Sequence, residues 1–142
     1  VTHDGGRHCF GQPQRTYVAR QARAPWVAFT QDDNIATRDA LAYIEMAIEQ
    51  QPSPRPIFFR WLAPWREVIW RVPILFAGNI DADCLVFPRA IAQEVVWGLH
   101  YEGDFDAARQ AYELAGGEVS WCEDIISVAR PDAEHLWWKA AA

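Results

Sequence analysis

Apolar positions along this chain fall in short runs separated by Pro, Gly and acidic turns, and their spacing predicts alternating helices and strands. Residues 1–8 are polar, and Thr2-His3-Asp4-Gly5-Gly6 reads as a strand end entering a turn. Between 14 and 24, Arg15, Arg20 and Arg23 sit among Tyr17, Val18 and several alanines, the pattern of a helix with a basic face that Pro25 stops. Trp26-Val27-Ala28-Phe29-Thr30 shows no polar alternation, which predicts a central strand buried on both faces. It runs directly into Gln31-Asp32-Asp33-Asn34. A helix follows, with Thr37 as its cap, Asp39 in its first turn, and Leu41, Ile44 and Ile48 on one buried face; Pro52, Pro54 and Pro56 end it.

The middle of the chain is strand-like at Ile57-Phe58-Phe59, Val68-Ile69-Trp70, Ile74-Leu75-Phe76 and Leu85-Val86-Phe87. Pro88 opens a helix over 89–97, with Gly98 just past its end. A further helix over 105–115 places Phe105, Ala108 and Tyr112 on its inner face and stops at Gly116-Gly117. Short apolar runs at 119–121 and 125–129 complete the pattern. Strands and helices are intermixed without an internal repeat, so the class is α/β.

Composition narrows the function. The 142 residues suit one domain, 1–142, and 51% hydrophobic against 23% charged is a globular balance. No apolar run reaches the length of a membrane span, and nothing resembles a signal peptide, so neither is expected. The net charge of −6 argues against a nucleic-acid partner, although the basic residues are all Arg except Lys139, and Arg suits phosphates. Cys9, Cys84 and Cys122 form neither a C-x-x-C nor a paired framework, which predicts a reduced, cytoplasmic protein. Among the Trp residues, Trp61, Trp65 and Trp70 suit a core better than a stacking surface for a sugar or base.

Two acidic segments carry the candidate chemistry. Gln31-Asp32-Asp33-Asn34 lies at the carboxyl end of a strand, where open α/β sheets bind ligands, and its carboxylates are hard oxygen donors for Mg²⁺ or Mn²⁺. The same residues are also ordinary turn formers. Tyr101-Glu102-Gly103-Asp104-Phe105-Asp106 sets three carboxylates at a helix start, where the dipole favours their ionised form. Asp104 is the candidate general base: Phe105 is expected in the core, Asp106 lies about 200° round the helix from Asp104, and Gly103 leaves room for an acceptor. N-capping serves these residues equally well. His100 and His135 have no metal-ligand spacing.

These segments together resemble the family 2-like glycosyltransferases of the GT-A fold. His3-Asp4-Gly5-Gly6 is similar to the family's D-G-S turn. Ala19-Arg20-Gln21 and Arg23-Ala24-Pro25 through Asp33 resemble the stretch leading to its D-x-D motif. Cys84-Leu85-Val86-Phe87-Pro88-Arg89 is similar to its acceptor-side strand, and Gly103-Asp104-Phe105-Asp106 with Gly116-Gly117-Glu118-Val119 to the segment bearing its base. The resemblance implies a GT-A-like open mixed sheet flanked by helices, with a nucleotide and metal half over 1–50 and an acceptor half over 51–138. On this resemblance the chain begins after the family's first strand and helix, which implies either an N-terminally truncated chain or a reduced member of the fold. The implied activity is metal-dependent transfer of a sugar from a nucleotide-diphosphate sugar to an acceptor hydroxyl. Asp4, Arg20 and Asp32 would contact the donor, Asp33 would hold Mn²⁺ or Mg²⁺, and Asp104 would be the base. Gln31 stands where the family's first metal-motif carboxylate is expected, and Gly103 replaces the Glu of its E-D pair. The alternative implied by those departures is a catalytically degenerate binding or interaction module on the same scaffold.

Overall fold

The computed structural model describes residues 11–63 and 67–129. In chain order the elements are α1 (Gln12–Gln21), β1 (Trp26–Ala28), β2 (Asn34–Ala36), α2 (Ala40–Glu49), β3 (Ile57–Leu62), β4 (Val68–Ile69), a 3-10 turn (Ala82–Cys84), β5 (Leu85–Pro88), α3 (Arg89–Glu94), α4 (Gly103–Leu114) and β6 (Ser120–Ala129). The sheet runs β1-β5-β3-β6-β2, and β4 pairs with β3 off this path. Only the β3–β6 pairing is parallel. The class is therefore mixed α/β, a curled open sheet flanked by helices.

The centre of the sheet is β3. Its Ile57, Phe58 and Phe59 are completely buried. Successive strand side chains point to opposite faces, so Ile57 and Phe59 pack with Ala40 and Ala47 of α2. Phe58 joins the opposite core, to which Ala19 of α1 and Ala107, Ala108 and Ala111 of α4 belong. Small side chains on that face let the helices lie close to the aromatic layer.

Several expectations are corrected by this packing. The strand after Pro25 is not central: β1 lies at the edge of the sheet, pairs with β5 alone among the described residues, and is only half-buried at Trp26 and Val27. Its unbroken apolar run reflects cores on both faces, since Trp26 packs with the α2 side and Val27 with the other. A strand at 74–76 is absent. Pro73 removes a ladder donor, and the buried Asn79 holds this segment as a loop, donating from Nδ2 to the carbonyls of Val72 (3.0 Å) and Ile74 (2.7 Å). The helix expected over 89–97 stops at Glu94. Beyond it, Gln110 Oε1 and Thr16 Oγ1 accept the backbone N–H groups of Val96 and Trp97, each at 3.0 Å. Leu41 faces solvent rather than the core. Thr37 does not cap α2 with its side chain; its hydroxyl donates to the Ile125 carbonyl at 2.8 Å and ties the helix entry to β6. The two runs at 119–121 and 125–129 fuse into β6, with a register irregularity opposite Arg60.

Candidate functional site

Because β1 and β3 both run antiparallel to β5, and β6 runs parallel to β3, the carboxyl ends of β1, β3 and β6 gather at one end of the sheet. A cavity of about 330 Å³ opens there, within the range of small-molecule sites. α1 contributes Gln12 and Arg15, the turn after β1 contributes Gln31, Asp33 and Asn34, and the strand ends contribute Trp61 and Ala129. Asp81 lies on the wall, and the start of α4 closes the cavity with Glu102, Asp104 and Phe105.

Pairing geometry brings a second acidic segment to the first. Ala28 pairs with Val86, and continuing that antiparallel register past the strand ends sets Gln31 opposite Asp83. The contacts follow. Gln31 donates its backbone N–H to Asp83 Oδ1 (3.1 Å) and its Nε2 to Asp81 Oδ1 (2.8 Å). Asn34 Nδ2 donates to Asp83 Oδ2, and the Asp83 backbone N–H returns to Asp81 Oδ1 at 3.1 Å. The turn after β1 is thus pinned to Asp81-Ala82-Asp83. In an antiparallel pair the residues after one strand meet those before the next, so Asp81-x-Asp83 ahead of the 84–87 run was a readable signal that sequence reasoning passed over.

Burial raises the proton affinity of these carboxyls. Asp81 is pushed up to about 6, by burial first and by the charge of Asp83 in addition, against the pull of its N–H donors. Asp83 is also raised by burial, with the Asn34 amide and the Thr30 hydroxyl opposing. Asp104 is raised by burial and then by the charge of Asp81, opposed by the Gln12 hydrogen bond, the Arg15 charge and the Ala82 backbone N–H. The helix dipole at the start of α4 favours the ionised form, but desolvation of the side chain outweighs it.

The cavity joins Asp33 and Asp104 on one surface, drawn from segments far apart in sequence. Asp32 is exposed and lies off the cavity, and so does Arg20; Arg15 is the arginine of α1 that reaches it. Asp4 lies outside the described residues, as do Trp65 and His135. Asp106 turns away to His100 Nε2 at 2.7 Å, as its place on the helix requires. Phe105 is half-buried on the cavity wall rather than in the core. The space beside Gly103 is not open to an acceptor: a Cβ there would lie 2.6 Å from Gln12 Nε2 and 2.4 Å from the Gly98 carbonyl oxygen. Trp61 and Trp70 are both buried, the latter edge-on to Trp121.

Among the described residues no three His, Cys, Asp or Glu side chains converge on a metal-binding geometry. Oxygens of Asp81 and Asp83 are engaged by N–H donors. A divalent ion at the cavity would be held by few protein carboxylates, with substrate oxygens completing its shell, a coordination Mg²⁺ commonly accepts.

No family model matches the sequence, and no curated relative matches it either. Among solved structures the fold is similar to that of S. aureus TarS, a GT-A-like glycosyltransferase, with a TM-score of 0.65 over 92% of this chain. The two sequences are 13% identical, so the likeness concerns the fold, and the chain spans 26% of that protein's length. Among the described residues no helix is long and apolar enough to cross a membrane. Cys84 and Cys122 are free thiols, both raised above the usual thiol range by burial.

Proposed function

We propose that the cavity transfers a sugar from a nucleotide-diphosphate donor to an acceptor hydroxyl. The observation that carries this reading is the meeting of Asp33 and Asp104 on one cavity at the carboxyl ends of the strands, in a fold similar to a glycosyltransferase. Asp104 takes the proton of the acceptor hydroxyl while its oxygen bonds to the anomeric carbon of the sugar. The bond from that carbon to the diphosphate oxygen breaks, and the electron pair leaves with the diphosphate. Burial makes Asp104 a stronger base than an exposed Asp. Asp33 would hold a divalent cation, Mn²⁺ or Mg²⁺, whose positive charge would offset that of the diphosphate. Arg15 supplies the positive charge of α1 at the cavity, and Asp32 and Arg20 contact the donor from outside its rim. Residues preceding α1, Asp4 among them, belong to the nucleotide side in this scheme.

A second reading, a binding module without turnover, is favoured by one observation: Gln31 stands in place of a carboxylate and commits its amide to Asp81. Thermal shift against UDP, GDP, ADP and CDP, with and without MnCl₂, tests ligand binding, and release of nucleotide diphosphate from the matching sugar donor separates the two readings. Replacing Asp33 with Ala is expected to abolish the Mn²⁺-dependent part of the shift, while Asp32→Ala weakens it less. An undiminished ion-dependent shift in Asp33→Ala assigns the acidic turn a purely structural role.

A further inference from the structure

A hydrogen-bond donor to Asp104 comes from the first helix of the described chain. Gln12 is 1% exposed, and its Nε2 lies 3.2 Å from Asp104 Oδ1. Its other amide atom, Oε1, accepts from Arg15 Nη1 at 2.9 Å. A guanidinium only donates, so Arg15 dictates which end of the amide faces it, and the NH₂ end is left for Asp104. Arg15 is itself stacked 5.2 Å from the Trp97 ring, which limits its freedom to release the amide. Room for Gln12 exists because residue 103 has no side chain: a Cβ there would stand 2.6 Å from Nε2 and 2.9 Å from Cδ of Gln12. The glycine in place of an acidic residue is therefore not a vacancy in the site. It is the seat of an amide delivered from α1.

We infer that Gln12 is the positioning residue for Asp104, oriented by Arg15 and admitted by Gly103, so that the Asp104 carboxylate is held at the cavity wall as a hydrogen-bond acceptor. This rests on the reading of Asp104 as the base. A buried carboxylate without fixed donors would rotate or take up a proton; a donor amide holds its plane and favours its charged form. The titratable and charged groups around Asp104 are Arg15 from α1, Asp81 and Cys84 ahead of β5, and, across or beside it on the cavity lining, Asp33 from the turn after β1 and Glu102 from the start of its own helix; the Ala82 N–H also donates to it. Among the described residues, Gln12 is the neutral side chain that donates to it.

The test is a titration of the Asp104 carboxyl carbon by NMR, assigned through Asp104→Asn, in the wild-type protein and in Gln12→Met. Methionine matches the length of glutamine and fills the same space without a donor. The Asp104 midpoint is expected to rise by about one pH unit in Gln12→Met, the loss of one hydrogen bond to a charged acceptor. A purely space-filling role for Gln12, which methionine preserves, would leave that midpoint in place, and an unmoved midpoint overturns the inference. The wild-type protein gives an independent reading should the variant fail to fold: the Gln12 side-chain amide resonances are expected to titrate with the Asp104 midpoint, and amide resonances that do not move through it overturn the inference as well. Because both measurements read Asp104 directly, they separate from the transfer reading. Full transfer by Asp104→Asn removes the base role, whereas an unmoved midpoint removes the positioning role whatever the transfer rate.

Discussion

Asp104→Asn is expected to reduce sugar transfer by about 100- to 10,000-fold, the contribution of a general base, while nucleotide binding is unchanged. The substitution is nearly isosteric, and the Asn oxygen still accepts from Gln12 Nε2, so the contact that now joins α4 to α1 survives. What is lost is the ability to take a proton. Initial rates and thermal shift measured on the same preparations separate the two effects. The pH profile adds a second check. Burial and the Asp81 charge raise the Asp104 carboxyl, and a base must be ionised to act, so wild-type transfer falls as pH drops through that raised value. The fall begins above the ordinary Asp range of about 3.9. Transfer that persists in Asp104→Asn moves the base role to Glu102, the other carboxylate of α4's start that lines the cavity.

Asp81→Asn is expected to stabilise the protein at neutral pH by roughly 2–3 kcal/mol. The sign follows from the two states. In the unfolded chain this carboxyl releases its proton near 4, whereas in the fold burial holds it up to about 6. Between those values the folded state carries a proton that the unfolded state has lost, so stability is greatest below about pH 4 and is progressively lost as pH rises to about 6. Above that, the fold contains a charge that water would solvate better. Asparagine removes the charge and keeps an oxygen for the N–H donors of Gln31 and Asp83. Urea unfolding from pH 4 to 8 reads the result: the wild-type curve declines toward neutral pH and the variant's is flatter and higher there. A variant less stable than wild type at pH 7 would show that the charge itself is needed to hold the turn.

The local elements were legible wherever the short-range chemistry is decisive. Gly116-Gly117 follow the end of α4 with the positive φ that glycine permits, whereas α1 already ends at Gln21, short of the expected boundary at Pro25, and the aliphatic and aromatic run at 57–59 forms a fully buried strand. The acidic turn after β1 and the carboxylate at the start of α4 were legible as candidate chemistry for the same reason, since Asp is unusual at a strand end unless it turns, caps or binds. Their role in sugar transfer rests on the proposal above.

Tertiary structure alone decided who stands beside whom. An apolar run declares that a strand has two buried faces, but its rank in the sheet depends on which neighbours form ladders, and so β1 lies at the edge and β3 at the centre. The C-terminal end of α3 and the loop at 72–79 were decided by side-chain amides, Gln110 and the buried Asn79, that take backbone partners outside any helix or strand ladder. The pairing of Gln31 with Asp81 and Asp83, and of Gln12 with Asp104, joins positions whose side chains have no local reason to meet. Sequence determined the acids and the glycine; the packing of α1 against the start of α4 determined that an amide from another helix would occupy the space beside the glycine, where it donates to the Asp104 carboxylate.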